Sequence, residues 1–320
     1  MVAPAQQDWR DKDEHGKVRR RFDFEFETMM SDEQAGAIVV RTTPHSRRYD
    51  LITVKGERHY RDRYLSEIIP EAEIIKMMVE QQQAVPIIYN PPSISSAYEY
   101  TETRQKALNA EFSGEAYRPP AERAKPHAPL NEAGGTRFLT FLSVDICASS
   151  ALRRKEPAGF EKAYGIFLRE LATSVGHFHG RILKTTGDGF IAYIDSEGFT
   201  TQCDNTVDLG LTFLAVLNRS VNPELENAGL PQLQIRVGAD CGAATIRRIS
   251  VPATGFEQVE IASDALNRAV KIEQCAKPGE LRIGRGLYEL VHVQWLERCK
   301  ETAFNGEEVG ILGYQVYKVN

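Results

Sequence analysis

The chain has 320 residues, of which 42% are hydrophobic and 26% charged, as is typical of a soluble globular protein with one large or two modest domains. Its formal net charge of −5 argues against non-specific nucleic-acid binding, which usually needs a basic face. Five dispersed cysteines without a CxxC pair predict free thiols in a reducing compartment. The polar N-terminus is unlike a secretory signal, and no window approaches the length of an apolar membrane span. We therefore expect a cytoplasmic protein that binds neither nucleic acid nor a membrane.

The N-terminal part is predicted to be a flexible tail followed by a small α/β extension. Residues 1–21 are charged, which indicates a mobile tail, and residues 22–133 form an extension and linker of unknown role. Short β-like runs over 21–27, 37–40 and 48–54 predict strands. The first of these runs alternates apolar and charged positions, as a half-buried strand does.

The second half of this extension is predicted to contain one helical segment and a long connector. Residues 61–83 carry apolar residues at helical spacing, and Pro70 should start a new helix or kink an existing one. Residues 84–133 are rich in proline, alanine and glutamate. We interpret them as a connector that is ordered in part at best.

Residues 134–320 show a regular alternation that predicts one α+β domain. The order βαββαβ with additions indicates a ferredoxin-like fold, in which helices pack on one face of a sheet with antiparallel strands at its centre. Ser263 and Asp264 are available as caps of the third helix. The predicted elements are a strand over 137–146, a helix over 159–178, a hairpin over 180–195, a helix over 206–221, a strand pair over 233–249, a helix over 263–276, a strand over 280–284, a short helix over 287–298 and a last strand over 314–319.

Two aspartates stand out in this domain. Asp145 ends an otherwise apolar strand, where an unpaired buried charge is costly, and Asp188 lies between two glycines at the turn of the predicted hairpin. Each alone has an ordinary interpretation, as a strand-end ion pair or as a plain turn residue. In a βαββαβ fold, however, the first strand lies next to this hairpin. The two carboxylates are therefore expected to meet at one sheet edge, where they suit a hard cation such as Mg²⁺ or Mn²⁺.

Four motifs in order give this half of the chain a family resemblance. FLSVDICASS, GRILKTTGDGFIAY, IRVGADCGAA and VEIASDALNRAVKIEQCAKPGELRIG resemble the catalytic domain of the class III adenylate/guanylate cyclases over roughly residues 136–320. The resemblance implies a class III cyclase fold for the domain 134–320. It also implies a reaction in which a nucleoside triphosphate is cyclised by its own 3′-hydroxyl and pyrophosphate leaves.

The resemblance further implies roles for individual residues. Asp145 and Asp188 match the two metal-binding aspartates of the family, and the carbonyl of Ile146 matches its backbone ligand, for two Mn²⁺ or Mg²⁺ ions in each site. The turn that follows, with Cys147, Ser149 and Ser150, is expected to bind phosphate oxygens through backbone N–H groups at a helix start.

Two positions are implied to recognise the base. Lys184 matches a family position that is lysine in adenylate cyclases and usually glutamate in guanylate cyclases, and Glu260 matches a position that is normally aspartate in adenylate cyclases. A lysine only donates hydrogen bonds, so guanine is disfavoured, while adenine, cytosine and uracil all remain compatible with a Lys–Glu pair. The longer glutamate favours a smaller base, which tilts the prediction towards a pyrimidine.

Asn267 and Lys271 lie four residues apart on the third helix and hence on one face. The resemblance implies that Asn267 orients the ribose and that Lys271 stands where the family has a catalytic arginine. Lysine keeps the positive charge but loses the bidentate fork. Ser263 replaces the glycine that the family usually has before this helix. In the family the site forms between two domains, and since this chain carries both sets of residues, a head-to-tail homodimer with two sites is expected.

These departures resemble the compact cyclases of bacterial Pycsar anti-phage systems, which make cyclic UMP or cyclic CMP for a separate effector protein. The leading hypothesis is therefore a pyrimidine nucleotide cyclase, in the first place a uridylate cyclase that uses UTP, with CTP as the other pyrimidine substrate. A soluble bacterial adenylate cyclase is the second hypothesis, supported by Lys184. The third is a degenerate module that binds a nucleotide or a partner without turnover, for which Lys271 and Ser263 speak and against which both retained aspartates speak.

Overall fold

A computed structural model describes most of the chain, and nothing is stated about the structure of the remaining residues. The first nine residues and residues 14–15 of the predicted tail lie outside the described part. So do residues 33–36, between two predicted strands, and parts of the predicted connector. The described residues are 10–13, 16–32, 37–84, 90–128 and 135–320.

The N-terminal extension contains two small antiparallel sheets, and its first three strands confirm the predicted ones. One sheet pairs β1 with β2, and the other has the order β3-β4-β5. The elements are β1 (Phe24–Asp32), β2 (Ala37–Pro44), β3 (Tyr49–Val54), β4 (Glu57–Asp62), β5 (Ile68–Pro70), α1 (Glu71–Ala84) and α2 (Ala97–Phe112).

The helical prediction over 61–83 is correct only after Pro70. β4 ends at Asp62, and Ser66 has a positive φ of 58°, which interrupts any helix that would continue through it. Pro70 closes the edge strand β5, where its missing N–H costs no ladder bond, and α1 begins at the next residue. The proline therefore marks the start of the helix, as one of the two alternatives predicted.

The C-terminal half, residues 135–320, has the predicted βαββαβ order with additions. Its helices and strands are β6 (Thr136–Ile146), α3 (Ser149–Lys155), α4 (Pro157–His177), β7 (Gly180–Thr185), β8 (Gly189–Ile194), α5 (Phe199–Val216), α6 (Asn222–Asn227), β9 (Ile235–Val251), β10 (Phe256–Ala262), α7 (Asp264–Cys275), β11 (Leu281–Gly284), α8 (Arg285–Tyr288), α9 (Val293–Leu296), β12 (Cys299–Thr302) and β13 (Val316–Val319), with a π-helical turn at Leu217–Val221 between α5 and α6.

The predicted strand pair over 233–249 is wrong, because β9 runs unbroken through it and pairs with β10 instead. The glycines in this stretch look like turn signals but serve close packing. A Cβ at Gly238 would lie 2.2 Å from the backbone nitrogen of Glu273 and 2.4 Å from the carbonyl oxygen of Ala269, so α7 can cross β9 only at a glycine. The short helix predicted over 287–298 is divided into α8 and α9, and β12 was not predicted.

Within the described ranges, eight strands form the main sheet, which is covered on both faces. Its order is β12-β13-β11-β9-β6-β8-β7, with β10 added to β9, and all its pairs are antiparallel except β9 with β11. On one face Leu142 and Val144 of β6 belong to the large core formed with α4 and α5. On the other face Leu139 and Phe141 pack with residues of β10 and α7. The prediction that helices cover one face is therefore corrected: β6 is apolar on both faces, so both must be covered.

The predicted connector contains a well-packed helix, which corrects that prediction over Ala97–Phe112. Ser96 caps α2 by accepting a hydrogen bond from the N–H of Glu99 at 3.3 Å. The inward face of α2 packs against α5, α6 and the π-helical turn, and Leu108 is fully buried there. Arg104 forms a buried ion pair with Glu170 of α4, with Nε–Oε2 at 2.8 Å. The sequence did not predict this helix, because the buried partner of Arg104 lies on another helix.

Arg21 of the predicted tail and Asp23, which precedes β1, contact the C-terminal half. Arg21 forms an ion pair with Asp204 of α5 at 2.9 Å and donates to the carbonyl of Leu290 at 3.0 Å. Asp23, 3% exposed, accepts the N–H of Val293 at 3.0 Å and pairs with the buried Arg48. Within the described ranges no helix combines the length and apolar character needed to cross a membrane.

Candidate active site

The two predicted metal ligands lie beside each other at one edge of the main sheet. In the antiparallel pairing of β6 with β8, Asp145 is the partner of Gly189, and Asp188 is the residue before that glycine. Asp188 therefore lies beside Asp145. The hairpin can come this close only because residue 189 has no side chain: a Cβ there would lie 1.9 Å from the carbonyl oxygen of Val144. Gly187, on the other side of Asp188, has a φ of +90°. The two glycines thus allow the turn to bring Asp188 close to the end of β6.

The surroundings of Asp145 disfavour its charged form. Burial and the neighbouring charge of Asp188 raise the pKa of Asp145, although Arg236 opposes this by donating hydrogen bonds to it. Asp188 accepts a hydrogen bond from the hydroxyl of Ser149. Two adjacent carboxylates beside the end of β6, where Ile146 supplies a backbone carbonyl, form an oxygen-only donor set that suits Mg²⁺ or Mn²⁺.

The described residues contain no group of three or more His, Cys, Asp or Glu side chains placed to hold a metal ion. A cation at Asp145 and Asp188 would therefore need further oxygens from backbone, water or a phosphate-bearing ligand. Mg²⁺ commonly binds in this way, through one or two carboxylates together with substrate phosphates.

A cleft of about 690 Å³ opens on the α7 face of the sheet, next to these carboxylates. Four of the predicted site residues line it: Asp145, Lys184, Asn267 and Lys271. The volume is within the range of sites that bind a small molecule. The other lining residues are Ser143, Thr186, Ile191, Arg236, Asp264, Arg268, Val270, Glu273, Gln274 and Val309.

Helix α7 presents Asn267 and Lys271 to the cleft because its opposite face is anchored in the protein. Ala265 and Ala269 are buried against the sheet, and Arg268 forms an ion pair with the fully buried Asp240 at 2.5 Å. Ser263 occupies the N-cap position of α7, as predicted, but its side chain does not cap the helix. Its hydroxyl instead donates to the carbonyl of Ala243 at 2.7 Å, which ties the start of α7 to β9.

The turn after β6 differs from the predicted phosphate cradle at one position. The N–H of Cys147 donates to the carbonyl of Gln234 at 2.7 Å and so extends the β6–β9 ladder by one residue. That amide is therefore not free for a phosphate. Ser149 is buried with its hydroxyl on Asp188, whereas Ser150 is exposed in the first turn of α3. The role of Ser149 and Ser150 in substrate binding stays a prediction.

Glu260 is placed apart from the other predicted site residues. It lies on β10 opposite Arg247 of β9, and the two side chains form an ion pair at 2.5 Å. Glu260 is not among the residues that line the cleft with Lys184 in the same chain. The structure of one chain thus brings together Lys184, Asn267 and Lys271 but does not bring Glu260 to them.

Sequence reasoning missed two charged residues of the cleft, Arg236 and Glu273. Arg236 lies opposite Asp145 in the β6–β9 pairing and contacts its carboxylate at 2.7 Å. Burial and the charge of Asp145 raise the pKa of Glu273 to about 7, while Arg236 lowers it. The available signal was a single arginine in the otherwise uncharged run IRVGA, on a strand expected beside that of Asp145.

Similarity to known proteins agrees with this geometry. A family model of the adenylate and guanylate cyclase catalytic domain matches residues 139–315. A putative adenylate cyclase 3 of Rhizobium meliloti (strain 1021) is 27% identical over 157 residues, which are 49% of this chain and 24% of that protein. The match therefore spans only a minor part of that relative's length.

Two solved cyclase structures share the fold. The guanylyl cyclase Cya2 is 18% identical, and the match covers 59% of this chain and 94% of that one with a TM-score of 0.50. The adenylyl cyclase CyaB from P. aeruginosa is 19% identical, with 58% and 95% covered and a TM-score of 0.50. These likenesses confirm the predicted class III cyclase fold, with additional N-terminal β-hairpins. Because the family model also covers more than half of the 320 residues, the chain belongs to the adenylate and guanylate cyclase catalytic domain family.

Proposed function

We propose that the protein is a nucleotide cyclase that converts a nucleoside triphosphate, UTP or CTP, into the 3′,5′-cyclic monophosphate and pyrophosphate. The observation that carries this proposal is the pair Asp145 and Asp188, held side by side at the edge of a cleft that also contains Asn267 and Lys271. An aspartate that only forms a hairpin turn does not require a second carboxylate beside it. A site that binds a triphosphate through divalent ions does require paired carboxylates.

In the proposed reaction, the bond from the ribose 3′-oxygen to the α-phosphorus forms, and the bond from that phosphorus to the leaving pyrophosphate oxygen breaks. The hydroxyl proton passes to water. Asp145, Asp188 and the carbonyl of Ile146 would hold two Mg²⁺ or Mn²⁺ ions, which lower the pKa of the attacking hydroxyl and neutralise phosphate charge. The protein's own contribution is positioning and charge stabilisation: Asn267 orients the ribose, and the Lys271 ammonium offsets negative charge on the phosphate.

The choice of a pyrimidine follows from the two base-reading positions. Lys184 donates and Glu260 accepts, which complements the O4 and N3–H of uracil but opposes guanine, whose edge pairs a single acceptor with two donors. Glu260 extends further than the aspartate usual in adenylate cyclases by one methylene, and a longer arm suits a smaller ring. Arg247 supports this arrangement because its ion pair limits the conformations of Glu260.

A head-to-tail homodimer is part of the proposal. Lys184 lines the cleft beside Asp145 of its own chain, while Glu260 does not line it, so one chain alone does not assemble the whole set of predicted residues. Two-fold pairing of identical chains would give two equivalent sites at the interface, each completed by Glu260 of the other chain. We further propose that the product is a second messenger in anti-phage defence, read by a separate effector.

A second candidate function is adenylate cyclase activity, and it is favoured by Lys184, the residue that adenylate cyclases have at this position. The similarity to a putative adenylate cyclase of Rhizobium meliloti points the same way. Adenine offers an acceptor beside a donor, which the Lys184–Glu260 pair can also satisfy. A module without turnover is the remaining alternative, favoured by Lys271 and Ser263 in place of the family residues.

Pyrophosphate release tests the proposed reaction. The purified protein is incubated with Mn²⁺ and each nucleoside triphosphate in turn, and the Asp145→Asn and Asp188→Asn variants are compared with Asp195→Asn. Asp195 follows β8 at its far end and forms part-buried ion pairs with Lys125 and Arg181, so it is a matched control for the loss of a strand-end carboxylate away from the cleft. We expect both site variants to lose at least about 100-fold in rate, since removing a metal ligand forfeits several kcal/mol of charge stabilisation. Full activity of Asp145→Asn would contradict the proposal.

A further inference from the structure

Arg236 contacts the carboxylate of Asp145 from the neighbouring strand. The two residues are direct partners in the β6–β9 pairing, so their side chains project from the same face of the sheet. The Arg236 Nη2 donates to Asp145 Oδ2 at 2.7 Å, and Nε lies 3.2 Å from the same oxygen. Both contacts use Oδ2, so Arg236 leaves the other carboxylate oxygen for a different partner.

The last turn of α7 fixes Arg236 from behind. Its Nη1 donates to the carbonyl of Gln274 at 3.1 Å, and its Nε lies 2.6 Å from Glu273 Oε1. Glu273 is 6% exposed on its side chain and also accepts a hydrogen bond from Ser143 at 3.3 Å. A guanidinium held on three sides has few alternative conformations, so it can impose one orientation on Asp145.

The charges around Arg236 indicate that it orients the Asp145 carboxylate and does not compete with a cation for it. A free arginine beside a cation ligand would repel the cation and occupy the ligand. Here the carboxylate of Glu273 lies against the same guanidinium and offsets its positive charge. Partners that hydrogen-bond a ligating carboxylate typically change metal affinity or activity by about 10- to 100-fold when they are removed.

We propose that Arg236 is a positioning residue for Asp145, holding Oδ2 so that Oδ1 faces a divalent cation shared with Asp188. This inference rests on the metal role given to Asp145 in the proposed function. Arg236 links β6, which carries that aspartate, to the end of α7, which carries Asn267 and Lys271.

Direct Mn²⁺ binding without nucleotide tests the inference. Electron paramagnetic resonance of free Mn²⁺ gives the dissociation constant of the full chain and its variants. Arg236→Met should weaken binding about 10- to 100-fold, and Arg236→Lys should fall between it and wild type, because lysine keeps the charge but not the fork. Arg248→Met is the matched control: it lies on the same strand, pairs with Glu257 in the exposed β9–β10 hairpin, and should bind as wild type does.

Unchanged or tighter Mn²⁺ binding by Arg236→Met would overturn the inference, the latter by showing that Arg236 competes with the cation. If Arg236→Met does not fold, as judged by circular dichroism, Arg236→Lys decides: wild-type affinity in that variant overturns the inference, and weaker binding supports it. Asp145→Asn separates the two proposals. Wild-type binding by this variant refutes the metal role itself, whereas Asp145-dependent Mn²⁺ binding without any cyclic product refutes only the proposed reaction.

Discussion

Replacing Arg104 with methionine should destabilise the whole catalytic half, although Arg104 lies in the N-terminal extension. Arg104 and Glu170 are 1% exposed, and their ion pair joins α2 to α4 with Nε–Oε2 at 2.8 Å and Nη2–Oε1 at 3.0 Å. Methionine fills most of the arginine stem's volume but leaves Glu170 as an uncompensated buried charge. Removing one partner of a buried ion pair typically costs about 3–5 kcal/mol.

The lower end of that range is expected here. Arg169 also contacts Glu170, with Nε–Oε1 at 3.1 Å, and can offset part of the stranded charge. The variant additionally loses the hydrogen bond from Arg104 to the carbonyl of Arg118 at 2.8 Å. We therefore expect the free energy of unfolding to fall by about 3 kcal/mol.

Urea denaturation at neutral pH measures this loss. The double variant Arg104→Met, Glu170→Leu should recover to within about 1 kcal/mol of wild type, because apolar replacement of a buried pair is often neutral. Arg118→Met, which breaks an exposed pair with Glu115, should cost less than about 1 kcal/mol. A loss below about 1 kcal/mol in Arg104→Met, or a double variant no more stable than the single one, would refute the reasoning.

Three further predictions follow from the structure. Gly189→Ala should disrupt the contact of β8 with β6, because its Cβ would meet the carbonyl of Val144, and should abolish Mn²⁺ binding; binding at wild-type affinity would contradict this. Burial raises the pKa of Asp208 to about 6, so its contribution to stability is present below pH 4 and is lost as the pH rises through 6. Urea denaturation should therefore show Asp208→Asn gaining up to about 3 kcal/mol relative to wild type between pH 4 and 7, and a pH-independent difference would count against it. Lys271→Arg should raise kcat about 10-fold by restoring a bidentate phosphate contact, whereas an unchanged kcat would show that the point charge suffices.

The sequence predicted those site residues whose type and spacing the proposed chemistry requires. Asp145 and Asp188 could be expected to lie close together because a βαββαβ order puts the first strand beside the hairpin. The β6–β8 pairing places them next to each other. Arg236 was missed because a single arginine in a strand carries no motif of its own. Its importance emerges only from the pairing register, which places it opposite Asp145.

The fold was predictable in order but not in its close contacts. Residues 233–249 were expected to form a strand pair, whereas β9 is one continuous strand in which Gly238 marks the crossing of α7, a contact between residues distant in sequence. The proline, alanine and glutamate content of residues 84–133 suggested a connector, because composition does not reveal that Arg104 has a buried glutamate partner on another helix. Tertiary pairing overrode the local composition in both places.

The identity of the cyclic product tests the central claim most directly. The wild-type protein is given equal concentrations of ATP, CTP, GTP and UTP with Mn²⁺, and the products are identified by mass spectrometry. The proposed reading of the base by Lys184 and Glu260 predicts cyclic UMP or cyclic CMP as the dominant product, with cyclic GMP the least. Cyclic AMP as the dominant product would contradict the pyrimidine assignment, and the absence of any cyclic nucleotide would contradict the proposed reaction.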